Sequence, residues 1–131
     1  MHPGVEKLDK LFNDAQKNPQ LVNEFFEQLW FTGGMLPRPE MRLVVQNMYD
    51  WLKPKAVVEQ KNFALANLAL GFVCYHEGKF DESIRQDVKA QKLFTEIGDL
   101  DGAAISSVML GNCYRSLGEV ELALKYLLEG Y

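Results

Sequence analysis

The 131 residues are enough for one domain with its own core, and 47% hydrophobic with 24% charged residues is the composition of an ordinary globular chain. A net charge of -4, with acids and bases interspersed, leaves no basic stripe to follow a phosphate backbone and argues against a nucleic-acid partner. No apolar run nears the ~18 residues that span a bilayer, and "MHPGVEKLDK" lacks the apolar centre of a signal peptide, so a cytoplasmic chain with no membrane partner is expected.

The first predicted helix is "VEKLDKLFNDAQ" (5–16), with Leu8, Leu11 and Phe12 on one face. After Asn18-Pro19 a second, "LVNEFFEQLWF" (21–31), leads into the loop "GGMLPRP", and "EMRLVVQNMYDWL" (40–52) is a third amphipathic helix that stops before Pro54. The glycine pair of that loop has neither a preceding strand nor a following Lys-Ser/Thr, so it carries no phosphate-binding pattern.

From residue 61 the chain repeats itself. Setting 63–92 above 103–131 aligns Ala64 with Ala104, Leu70-Gly71 with Leu110-Gly111, and Gly78 with Gly118, each at an offset of 111 - 71 = 40. An apolar residue follows two positions after the later glycine (Phe80, Val120), and Ile84 matches Leu124. Two helical patterns per copy at such a period predict a helical-hairpin solenoid. Gly78 and Gly118 are expected to end the first helix of each pair. Gly71 and Gly111, two turns upstream, are expected to let the second helix approach closely.

The stretch "LGNCYRSLGEVELALKY" resembles the tetratricopeptide repeat, carrying its Leu110, Gly111, Tyr114, Gly118 and Ala123. The first copy departs more: Asn67 stands at the Trp position, Cys74 at the Tyr, Ser83 at the small Ala and Asp87 at the second aromatic, while Ala90 is kept. In the second copy Ser107 takes the Trp position and Leu127 the second aromatic. The family proline is replaced by "EIGDLDG" (96–102), and such 40-residue repeats resemble those of kinesin light chains, cell-polarity scaffolds and bacterial sensors joined to a cyclase or histidine kinase. The resemblance implies an all-α solenoid of about seven helices in a right-handed superhelical stack. One continuous domain would hold N-terminal helices over 1–60 and repeats at 61–100 and 101–131, the second truncated. Stepping the period back once more reaches 21–52, which reads either as a degenerate repeat or as plain helices.

By the same resemblance, the concave face would be formed by Leu65, Leu68, Phe72, Tyr75 and His76 of the first copy and by Ile105, Val108, Asn112, Arg115 and Ser116 of the second. Asn112 matches a family asparagine that can hold an extended backbone by its amide. Leu68 and Val108 occupy positions where chaperone-tail receptors carry lysines, which disfavours that ligand. The implied function is binding of a peptide or a helix of a protein partner, with Tyr75, Phe72 and Arg115 as anchors. The alternative is a regulatory N-terminal segment of a larger signalling protein of cyclase or kinase type. The apolar stripe is also open to a second reading, in which Leu65, Leu68 and Phe72 pack under Met41, Val44, Val45 and Met48 and leave no groove.

Catalysis needs converging titratable groups, and His2 and His76 have no acidic or thiol companion at a recognisable spacing. His2 reads as a mobile terminal residue and His76 as a surface or capping one; Glu77, Asp81 and Glu82 flank a turn where acids suit the helix dipole. Cys74 and Cys113 lie in helical apolar patterns and read as inert core thiols. No catalytic residue, metal or cofactor is expected. The final helix places Leu124, Leu127, Leu128 and Tyr131 where a next helix would pack, and a homodimer through this C-terminal repeat is the expected consequence.

Overall fold

The computed structural model describes residues 2–130. Among them are seven α-helices: α1 Pro3–Ala15, α2 Leu21–Thr32, α3 Arg38–Leu52, α4 Gln60–His76, α5 Phe80–Glu96, α6 Leu100–Ser116 and α7 Val120–Gly130. Single 3-10 turns at Gly33–Met35 and Lys53–Lys55 follow α2 and α3, and no strand occurs among the described residues. The expected all-α helical repeat is thus the observed fold. None of these helices is long and apolar enough to cross a membrane.

Helix starts and stops follow from local chemistry. Pro3 occupies the first turn of α1, where a missing N–H costs nothing. The Nδ1 of His2 accepts from the Gly4 N–H at 3.0 Å, so His2, expected to be free, instead caps the helix. Gly78, Gly98 and Gly118 close α4, α5 and α6 at φ of 78°, 75° and 80°. After each, the next N–H reaches back to the carbonyl five residues earlier: Lys79 to Cys74, Asp99 to Phe94, Glu119 to Tyr114. The "EIGDLDG" stretch is therefore a stop followed at once by a start, since Asp99 Oδ1 accepts from the Gly102 N–H at 3.0 Å and caps α6.

Helices α4 and α5 form one antiparallel hairpin and α6 and α7 the next, with α5 packed along α6. Close approach within each hairpin depends on a missing side chain. A methyl group on Gly111 would lie 2.6 Å from Leu127 Cγ and 3.2 Å from the Ala123 carbonyl, and one on Gly71 would collide with Asp87. The N-terminal helices are arranged differently: α1 packs against both α2 and α3, and α3 runs along α4. Helices α2 and α3 do not lie along one another as the two later hairpins do.

Two apolar cores meet at α4. One joins Phe25, Phe26 and Leu29 of α2 with Met41, Val44, Val45 and Met48 of α3 and with Ala66, Ala69, Leu70 and Val73 of α4. The other is small: Ala64 and Leu68 of α4 against Ala90 and Phe94 of α5. A helix apolar on nearly every side belongs in the middle of a structure, which is where α4 sits.

Candidate functional site

An apolar hollow opens between α4 and α6. It has a volume of about 340 Å³ and is lined by Leu65, Leu68 and Phe72 of α4, by Gly102, Ile105 and Met109 of α6, by Phe94 of α5 and by Trp30 of α2. Helical spacing brings Leu65, Leu68 and Phe72 to one face of α4, and Ile105 and Met109, four apart, to one face of α6. Gly102 lets α6 approach the Phe94 ring, which a methyl group there would strike. Among the lining residues Ile105 remains 51% exposed, so the hollow opens to solvent beside α6.

An unbroken series of aromatic rings extends from this hollow. Trp30 stands edge-on to Phe72 with centroids 5.4 Å apart, Phe72 to His76 at 4.5 Å, His76 to Tyr75 at 5.5 Å, and Tyr75 to Phe80 at 5.5 Å. Edge-to-face contacts of this kind orient the rings as well as bury them. His76 is half-buried against Phe72, and the loop glycine Gly34 packs over its ring. Burial, helped by the charge of Arg38, holds the His76 imidazole below its ordinary pKa, so it is neutral at pH 7.

The N-terminal helices are tied to this end of α4 by two arginines. Arg38 Nε donates to the His76 carbonyl at 3.0 Å, and its Nη1 donates to the carbonyls of Gly34 and Leu36. Arg42 grips Glu77 through two bonds of 2.8 and 2.7 Å. That hydrogen-bonded pairing holds the Glu77 carboxyl below the usual range despite its partial burial. Arg42 also donates to Cys74 Sγ at 3.3 Å, while burial pushes the Cys74 thiol up and keeps it protonated.

Of the expected face, Leu65, Leu68, Phe72 and Ile105 come together in the hollow, and Tyr75 and His76 continue it through the aromatic series. Val108 does not line it; it lies against Gly130 of α7, and Met109 takes the place foreseen for it. Asn112 is half-buried, and Arg115 and Ser116 are exposed in the last turn of α6. Leu68 is almost wholly buried in the smaller core, whereas Leu65 and Phe72 pack at the edge of the larger one. What enters the groove from the N-terminal region is Trp30 of α2, a wall that leaves the hollow open.

Trp30 and Phe94 escaped sequence reasoning for different reasons. Trp30 has no periodic relation to the repeats, and only the tertiary path of α2 brings it there. Phe94 could have been found, because it precedes the α5 stop by the same interval that separates Tyr114 from Gly118.

At the other end of the repeat region, Leu124 is 55% and Leu128 74% exposed, next to exposed Val120 and Leu117. Leu127 turns inward onto Gly111, so it is not part of that free surface. Tyr131, expected with them, lies outside the described residues.

The family model for the tetratricopeptide repeat matches residues 62–131, just over half of the chain. The protein belongs to the tetratricopeptide repeat family. Comparison with curated proteins and with solved structures gave no match. The matched segment begins within α4 and takes in both hairpins, and the hollow lies between α4 and α6. Membership identifies the chain in general terms as a protein–protein interaction module.

Proposed function

We propose that this tetratricopeptide repeat protein is a non-enzymatic, cytoplasmic module that holds a peptide or helix of a protein partner in the face between α4 and α6. The observation that carries this reading is the open apolar hollow of about 340 Å³ with Ile105 at its mouth and the aromatic series beside it. An apolar side chain of the partner fills the hollow, and Tyr75 and Arg115 contact the flanking chain, aromatic and arginine side chains being the usual energetic anchors. Asn112 supplies an amide for the partner backbone. The test compares partners retained by the wild-type chain and by Ile105→Glu, Tyr75→Ala and Arg115→Ala, identified by mass spectrometry. All three variants are expected to keep the helical circular dichroism and to lose the same partner. Retention by all three places the binding face elsewhere.

A second reading, supported by the exposure of Leu124 and Leu128, is self-association through α7. Light scattering over a concentration series is expected to show a dimer that Leu128→Glu shifts towards monomer. A 15.0 kDa species at every concentration removes this reading.

A further inference from the structure

Three helices meet at a carboxyl group that has no ion partner among the described residues. Asp87 of α5 is 1% exposed, enclosed by Gly71 of α4 and Cys113 of α6. Its Oδ1 accepts no hydrogen bond and is pressed against the α4 backbone where Gly71 leaves room. Its Oδ2 lies 3.5 Å from Ser83 Oγ and 3.7 Å from Cys113 Sγ.

Counting protons decides the state of this group. The Ser83 hydroxyl donates its one proton to the Gly71 carbonyl at 2.7 Å, so towards Asp87 it can only accept. The Cys113 thiol is closer to Ser83 Oγ, at 3.2 Å, than to Asp87. A carboxylate here would have one weak, shared donor and no cation, whereas a carboxylic acid can donate to Ser83. Burying an anion on such terms is costly, and the group takes up a proton instead.

The neighbouring elements supply nothing to offset that. From α6 the titratable group is Cys113, whose thiol burial pushes up to about 12. From α4 it is Cys74, whose contacts are Arg42 of α3, already bound to Glu77, and Glu82 of α5 at 3.9 Å. On α5 itself Ser83 is neutral, and Gln91 is bonded to Ser107 of α6.

We propose that Asp87, entering the fold as the neutral acid, is a pH-sensitive lock between the two repeats, and that its ionisation loosens the joint of α4 and α5 with α6. Burial places its carboxyl at about 8 in the folded chain, against about 3.9 when unfolded. Between those values the folded chain carries a proton that the unfolded chain lacks. Stability therefore falls as pH rises, by up to about tenfold in the unfolding constant per pH unit, and the loss levels off above about pH 8. The same joint sets the spacing of α4 and α6, the two walls of the hollow.

Urea unfolding of the full chain from pH 5 to 9, for wild type and Asp87→Asn, tests this. Asparagine keeps the shape and cannot ionise, so the ratio of wild-type to variant unfolding constants is expected to climb about tenfold per pH unit and flatten above about pH 8. A ratio independent of pH overturns the proposal. Should the variant fail to fold, the carboxyl carbon shift of Asp87 in the wild-type protein decides by NMR: an inflection near pH 8 supports the lock, and one below pH 5 overturns it.

Discussion

The two halves of the molecule are held together by opposite means. Helices α1–α3 pack through volume, with Phe25, Phe26, Leu29, Met41 and Met48 filling one core. Helices α4–α7 pack through missing volume, with glycines at 71 and 111 and small or polar residues such as Ser83, Ser106 and Ser107 buried between close backbones. A volume-packed core accepts many apolar combinations of similar size, whereas backbone contact demands a small residue at a set position. The second kind leaves a periodic mark in the sequence; the first leaves only amphipathic spacing.

The largest effect expected from this contrast is loss of volume in the first half. Phe25 is fully buried and stands edge-on to Phe26 with centroids 5.4 Å apart. Phe25→Ala removes both the buried area and the ring contact, and urea unfolding is expected to show a loss of about 4 kcal/mol. Phe25→Leu, which keeps most of the volume, is expected to lose less than half of that. Equal losses in the two variants would mean that this core, too, depends on fixed shape.

Gain of volume in the second half comes next. Gly111→Leu drives a side chain into Leu127 and the Ala123 carbonyl, so α6 and α7 must separate, and a loss of about 3 kcal/mol is expected from thermal or urea unfolding. Val44→Ile, which adds only one methylene to the first half, is expected to cost less, about 1 kcal/mol, the low end for an added core methylene. An unchanged melting temperature for Gly111→Leu would remove the basis for calling this glycine a packing residue.

The same contrast explains which features could be read from the sequence. The stops at Gly78 and Gly118 and the packing roles of Gly71 and Gly111 were legible because only glycine serves there, and the 40-residue offset exposed the pairs. Gly98 was legible only as part of a link, since position 58, one period earlier, holds a valine and offers no matching glycine. The groove was half legible: Leu65, Phe72 and Ile105 follow from helix spacing, but whether position 108 or 109 faces the hollow depends on how α6 is set against α4, which one helix cannot specify. Trp30 belongs to the volume-packed half and has no register to betray it. Asp87 was visible only as a departure from the family aromatic; its lack of donors emerged once Ser83, Gly71 and Cys113 were placed around it.

A smaller effect is expected at the seam between the halves. Arg42 of α3 and Glu77 after α4 form a two-pronged pair in which the Glu77 side chain is only 13% exposed. Arg42→Ala leaves that carboxylate without its main partner, and a loss of about 1.5 kcal/mol is expected at neutral pH. Because pairing lowers the Glu77 pKa, the contribution is present above the ordinary carboxylate range and fades as pH falls through the lowered value. Wild type and Arg42→Ala should therefore converge in stability once the pH has fallen through that lowered value. A gap that persists in acid would assign the loss to packing of the arginine stem instead.

The smallest expected effect also lies on the seam, and it has the opposite sign to that of Asp87. The His76 ring sits between Phe72 and Gly34, and its pKa in the folded chain is below the ordinary value of about 6.5. As pH falls below that value the unfolded chain takes up a proton at His76 that the folded chain refuses, so stability declines towards acid. The ring is partly open to solvent, which limits the penalty. His76→Gln removes the titration, and its melting curve is expected to lose about 1–2 °C less than wild type between pH 7 and pH 5. Asp87 acts equally in both chains, so the difference between them isolates the histidine. Identical acid limbs would mean that the loop carrying Gly34 does not shut water out from His76.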